Sequence, residues 1–337
     1  MSAGCTYDGC TVAETGRCAL ERDIATCSYR IGNQPETESS TADDDLTTNG
    51  ESGAPVLTSP EENPSFPPST TLGPDEVEEM MHRRYVKVVG ILGDPESGKT
   101  ACLASLYLLV SNAMLEGWSF ADSRSLMAFE DIARGARRWN DGQPPEQMTT
   151  HTEMADERQP GFLHLRLRRK TDRRIVDLAL PDLPGEWTKA LIRSAVSDRF
   201  EFLRSSDVVW FIVDGRILAD RERRKGAILR LGQLAGRLRT LIEGKMPRVL
   251  VVITHRDRHE PDTAVIAQMV TELAKQDVSF MVRHVAPFSE NEDIKAGFGL
   301  SELITDTVGE SNALPHFWPE TSPTLGGSSF LSYRRDQ

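Results

Sequence analysis

The sequence predicts an α/β fold: a mostly parallel central sheet carrying one antiparallel hairpin strand, with helices on both faces. Three observations lead there. Between residues 84 and 308, short β-branched runs alternate with longer helix-like segments, the pattern of strands joined by crossover helices. The run "KVVGILGDPESGKTACLASLYLLV", residues 87–110, sets a Gly/Pro-rich turn and a lysine between two apolar segments. Finally, "FLHLRLRR", residues 162–169, alternates Leu163, Leu165 and Leu167 with His164, Arg166 and Arg168, the period of a strand with one wet face.

The elements follow in order. Residues 85–92 form a continuous apolar run ending before glycine and read as a buried strand. Residues 99–115 have helical length and no breaker. The interval 117–161 is long for a loop; its segment 125–142 places Leu126, Phe129, Ile132 and Ala133 on one helical face. Such stripes pack inward more often than they meet partners. Residues 162–169 and 174–182 are separated by a polar turn and pair as a hairpin. Residues 207–215 and 248–255 read as central strands, and 280–286 as the last. Between them, residues 221–244 set Leu231, Leu234, Leu238 and Leu241 at helical spacing. Arg221, Arg223, Arg224, Arg230, Arg237 and Arg239 form a basic face, read as solvated or as a dock for an acidic partner. Trp187 and Trp210 read as core, and Cys102 as a small buried apolar residue.

Four segments are expected in all: a Cys-rich module over 1–30, an acidic disordered linker over 31–80, the α/β domain over 81–310 and a flexible tail over 311–337. The 337-residue chain carries a net charge of -12, and residues 31–80 hold twelve acids with no Lys or Arg. Elsewhere acids and bases balance, which argues against nucleic acid as a partner. No apolar run reaches membrane-spanning length, since 101–115 is short and carries Ser105, Ser111 and Asn112. The first residues, "MSAGC", lack a basic and an apolar export region, so a cytoplasmic protein without a membrane partner is expected. There Cys5, Cys10, Cys18 and Cys27 match one tetrahedral Zn²⁺, whose binding would fold a small docking module; unstructured free thiols are the alternative.

The segment Gly93, Asp94, Pro95, Glu96, Ser97, Gly98, Lys99, Thr100 fits G-x-x-x-x-G-K-[ST] at every fixed position. The glycines let backbone N–H groups surround a β-phosphate, and the helix that continues through Ala101 adds its positive end. Lys99 reaches the β/γ-phosphates, and the Thr100 hydroxyl binds Mg²⁺. Downstream, "LALPDLPGEW" places Asp182 directly after an apolar strand to hold the Mg²⁺ shell, with Gly185 three residues on to face a γ-phosphate. "VLVVITHRD" then ends a strand with Thr254, His255 and Asp257. A carboxylate there accepts from N1–H and the 2-amino group of guanine, a donor pair that adenine lacks. "APFSENED" offers Ser289 to the base edge.

In this order, each after a strand, these motifs resemble the phosphate, switch-II and guanine motifs of translation-factor-related (TRAFAC) GTPases. "GDPESGKTACLASLY" with "LPGEW" is similar to bacterial GTPase domains of the double-GTPase type, which the resemblance places in multi-gene conflict or defence systems. It covers about residues 85–310. It implies that residues 93–100 bind phosphate and Mg²⁺, that Asp182 and Gly185 report the γ-phosphate, and that Asp257 reads guanine. The first-switch threonine falls among Thr149, Thr150 and Thr152, with Thr152 the choice. Two positions depart from the family pattern. His255 stands where a lysine lies over the base, and Glu186 stands where a glutamine orients water. The expectation is Mg²⁺-dependent GTP binding with slow hydrolysis involving Lys99, Gly185 and Glu186, in a switch acting on partner proteins through the switch regions and the N-terminal module. A nucleotide-binding scaffold with negligible turnover, or an ATPase, are the alternatives.

Overall fold

The strand β1 (Val86–Gly93) runs buried from end to end through the middle of the sheet. The computed structural model describes residues 69–137, 148–149, 159–193, 198–242 and 245–309, together with Val12. The chain divides into two units, 1–64 and 65–337, and the sheet and its helices belong to the second. The four N-terminal cysteines, most of the acidic stretch, Thr150, Thr152 and the C-terminal tail lie outside the described residues.

Before β1 comes α1 (Pro74–Arg83). After it come α2 (Lys99–Ser111), β2 (Trp118–Asp122), α3 (Leu126–Arg137), β3 (Phe162–Arg169) and β4 (Ile175–Pro181). The second half holds α4 (Gly185–Arg193), a 3-10 segment (Asp198–Ser205), β5 (Val208–Asp214), α5 (Gly215–Ala219) and α6 (Arg224–Leu241). It closes with β6 (Arg248–Thr254), α7 (Thr263–Ala274), β7 (Phe280–His284) and α8 (Leu300–Val308).

The described strands form a seven-stranded sheet in the order β2-β3-β4-β1-β5-β6-β7. β1 pairs in parallel with β4 on one side and β5 on the other, and β5, β6 and β7 continue in parallel. The β3–β4 hairpin is antiparallel, as its polar turn predicts. Chain order reverses on either side of β1, so the crevice beyond its C-terminal end is where such sheets bind ligands. Helices cover both faces. Val77, Met80, Leu191, Leu231, Leu238 and Met269 share one apolar core, and Leu103, Leu106, Phe129, Leu303 and Ile304 share the other.

Four features differ from the sequence reading. β2 was not anticipated; it adds a second antiparallel pairing, β2–β3, with a register shift between Phe120 and Asp122. α1 lies in the stretch read as linker. Gly73 caps it with its N–H on Glu76 Oε2 at 2.7 Å, Pro74 opens it, and Val77 and Met80 are buried, so the folded body begins before residue 81. α2 stops at Ser111 rather than 115, where Asn112 returns both its N–H and its side-chain amide to Leu108 O. The wet face of β3 is wet only at its far end: Arg168 is exposed, but His164 is fully buried, with Nε2 2.9 Å from Asp177 Oδ1 and Nδ1 accepting from Arg124 N at 3.0 Å. Arg84, at the end of α1, puts Nε 3.2 Å from the same Asp177 oxygen.

α3 packs inward through Ala128, Phe129, Ile132 and Ala133, while Leu126, expected on that face, is 40% exposed. Trp187, Trp210 and Cys102 are buried as expected, and burial pushes the Cys102 thiol up to about 12.

Candidate functional site

Three chain segments meet beyond the C-terminal ends of β1, β4 and β6. The first is the loop between β1 and α2. Gly98, at φ +96°, takes a left-handed conformation that L side chains rarely adopt, and it turns the chain into the first helical residue, Lys99. Lys99 is 6% exposed, and its Nζ donates to Gly93 O at 3.0 Å and Asp94 O at 2.9 Å. Burial lowers its pKa to about 8, against the opposing pull of Asp182, Glu186 and Asp94.

The second segment follows β4. Asp182 is buried, held by its N–H on Gly161 O at 3.2 Å, and Thr100 Oγ1 donates to its Oδ1 at 3.0 Å. A hydroxyl and a carboxylate so close form a hard-oxygen pair suited to Mg²⁺. Gly185 presses against the phosphate loop so closely that a Cβ there would sit 2.3 Å from Pro95 N. One turn on, Thr188 Oγ1 accepts from Gly93 N at 3.3 Å, tying α4 to the loop.

The third segment closes the other end. Thr254 Oγ1 donates to Ser97 O at 2.9 Å, clamping β6 to the loop. His255 is left-handed, at φ 58°, and its Nδ1 lies 3.0 Å from Thr254 Oγ1 and 3.3 Å from Asp214 Oδ1. The Asp257 side chain is 6% exposed, and its main chain is held by Asn291 Nδ2 on Asp257 O at 3.1 Å.

These segments enclose a cleft of about 690 Å³. Pro95, Glu96, Gly98, Lys99, Thr100 and Ala101 line it from the loop, Gly185 and Glu186 from the segment after β4, and Thr254, His255 and Asp257 from the segment after β6. Thr149 also lines it, whereas Thr150 and Thr152 lie outside the described residues. Asp182 stands behind Thr100, and Gly93, Asp94 and Ser97 border a smaller cavity of about 40 Å³ behind the loop. From the loop after β7, Pro287 and Phe288 line the cleft; Ser289 is not among the lining residues, and its Oγ accepts from Asn291 N at 3.1 Å.

Several contacts escaped the sequence reading. Asp214, the last residue of β5, accepts from Arg216 and faces His255; burial alone would raise its pKa, but hydrogen bonds from His255 and Arg216 hold it well below the usual carboxylate range. The basic face of α6 is only partly solvated. Arg230 Nε donates to Asp94 Oδ2 at 3.0 Å, and Arg237 Nε to Ile192 O at 3.1 Å, joining α6 to the phosphate loop and to α4. The "FIVDG" run after a polar break carries the only sequence hint of Asp214: an acid directly after a buried strand.

A mostly parallel sheet with this glycine-lysine loop at the end of its central strand, in a chain matched by a GTPase family model, makes this a TRAFAC-class P-loop GTPase domain. The chain belongs to the Double-GTPase 2 family, whose sequence model matches residues 87–308. Among solved structures, it is similar to the signal recognition particle receptor SRb-GTP/SRX complex from Chaetomium thermophilum. The identity there is 17% and the TM-score 0.39, over 62% of this chain and 94% of that one. A GTP-binding protein from Sulfolobus solfataricus, in complex with GDP, matches at 14% identity and TM-score 0.33, over 69% of this chain and 55% of that one. No curated protein matches the chain. No described helix is long and apolar enough to cross a membrane.

Proposed function

We propose that the protein binds Mg²⁺-GTP in the 690 Å³ cleft, hydrolyses it slowly and signals nucleotide state to partner proteins. The observation that carries this reading is the convergence of the loop, the segment after β4 and the segment after β6 on one cleft. Lys99 supplies a fixed cation to the β/γ-phosphates, and the N-terminal end of α2, which Gly98 turns into the cleft wall, supplies the anion cradle. Thr100 and Asp182 would hold Mg²⁺, which neutralises charge on the phosphates. Asp257 accepts from the guanine edge, and His255 lies beside it. Glu186 lines the same cleft, where a carboxylate repels the γ-phosphate unless it takes a proton from water, so turnover is slow. Gly185 senses the γ-phosphate and passes it to α4, which Thr188 ties to the loop.

Binding of fluorescent GTP and ATP analogues to wild type, Lys99→Ala and Asp257→Ala tests this. Wild type prefers GTP; Lys99→Ala loses both nucleotides, and Asp257→Ala loses the preference. Equal binding by all three proteins overturns the reading, and an ATP preference makes the protein an ATPase. Glu186 and His255 also support a scaffold with negligible turnover. Robust phosphate release by the isolated protein excludes it. For the N-terminal residues, the four thiols in 23 positions support one structural Zn²⁺ in a docking module. Metal analysis should find one zinc per chain, lost on replacing Cys10 and Cys18 by Ser. The balanced charge of the body supports no nucleic-acid partner, and a role in a conflict system rests on family resemblance.

A further inference from the structure

Asp214 borders the smaller cavity behind the loop and reaches the cleft only through its neighbour His255. Asp214 closes β5 and is 7% exposed. Its Oδ1 accepts from Arg216 N at 2.8 Å, and its Oδ2 from Arg216 Nη2 at 2.9 Å. The same Oδ1 lies 3.3 Å from His255 Nδ1 across the β5–β6 boundary. Thr254 settles the direction of that contact. Its hydroxyl has one proton, directed at Ser97 O at 2.9 Å, so towards His255 Nδ1, 3.0 Å away, it acts as an acceptor. Two acceptors at Nδ1 place the ring's proton there.

The backbone gives this pairing a purpose. A non-glycine residue at φ 58° is held against its own preference and persists where its surroundings over-determine it. Arg258 N and His259 N hold its carbonyl, both at 3.1 Å, Thr254 and Asp214 hold its ring, and the residue so held lines the cleft with Asp257. Hydrogen bonds keep Asp214 ionised through the neutral range, so the anchor persists at working pH.

We propose that Asp214 is a positioning residue for base recognition, holding the His255 ring as a fixed part of the cleft wall next to Asp257. The proposal rests on the guanine-nucleotide reading of the cleft. A plain structural role competes with it, because Asp214 also caps α5 by accepting from Arg216 N. Asp214→Ser separates the two. Serine remains a good cap, yet it is uncharged and too short to reach His255.

The experiment is a double-mutant cycle in the full chain, with Asp214→Ser, His255→Ala and the pair, read as affinity for fluorescent GTP and ATP analogues. Asp214→Ser weakens the GTP analogue by about tenfold, the scale of one charged hydrogen bond, and narrows its lead over the ATP analogue. In the His255→Ala background the same change has no further effect. Imidazole nitrogen NMR of wild type shows an Nδ1–H signature for His255 that Asp214→Ser loses. Wild-type affinity in Asp214→Ser overturns the proposal, as does an equal loss with and without His255. A wild type that binds neither analogue overturns the nucleotide reading itself, and this proposal with it; a wild type that binds GTP beside an unaffected Asp214→Ser overturns the proposal alone.

Discussion

At the residue scale, Thr254 joins three parts of the cleft through one hydroxyl. It donates to Ser97 O at 2.9 Å, stands 3.3 Å from Val213 O and accepts from His255. The residue is 1% exposed, so replacing the hydroxyl with a methyl leaves buried polar groups without a partner. Thr254→Val, nearly equal in shape, should therefore lower unfolding stability by about 1–3 kcal/mol, the cost of orphaned buried groups. Urea unfolding measures it; a change within a few tenths of a kcal/mol sinks the argument. Thr254 was legible in the sequence because it sits in a motif after an apolar run, as were Lys99, Thr100, Asp182, Gly185 and Asp257. Asp214 was not. Its meaning depends on β5 lying next to β6, which fixes Asp214 opposite Thr254, and strand order is a long-range fact that no local pattern contains.

At the element scale, strands with unbroken apolar runs were legible to within a residue or two. β1, β5 and β6 are buried in a parallel sheet, and such strands have no wet side to blur them. The short and the composite elements were not. β2 is five residues at an edge with an irregular register, and α1 sits in an acidic stretch whose average composition masked Val77 and Met80. α3 shows how finely periodicity resolves a face. Phe129 is fully buried and stacks on Tyr107 of α2 with ring centroids 5.6 Å apart, whereas Leu126 is 40% exposed. Phe129→Ala should cost about 3–5 kcal/mol, by lost burial and the cavity left behind. Leu126→Ala should stay within about 1 kcal/mol. Comparable losses in the two urea unfolding curves would mean that α3 is not anchored through Phe129.

At the scale of the whole molecule, the sheet separates two chemistries by the length of its central strand. The cleft lies at the C-terminal end of β1. Near the other end, Asp207 accepts from Val88 N at 3.0 Å and from the Tyr85 hydroxyl, with Lys87 Nζ 3.9 Å away. Its side chain is 8% exposed, and burial pushes its carboxyl up to about 7 against the pull of Lys87, Val88 N and Arg248. An aspartate in an unfolded chain titrates near ~3.9. Between those values the folded protein keeps a proton that the unfolded chain has released. This group's contribution is therefore fully present below about pH 4 and is lost as pH rises through about 7. Burial moves Lys87 the other way, below its usual value, and its opposite slope belongs to alkaline pH. Asp207→Asn removes the first slope. Wild type should thus lose more stability than the variant between pH 5 and pH 8, by up to roughly 3 kcal/mol, in urea unfolding at each pH. From Val88 to Gly93 is roughly 16 Å at about 3.3 Å per residue, so the substitution should leave affinity for a fluorescent GTP analogue unchanged. Parallel pH profiles for the two proteins would show that Asp207 is ionised throughout. A loss of nucleotide affinity in Asp207→Asn would show that the two ends of β1 are not independent.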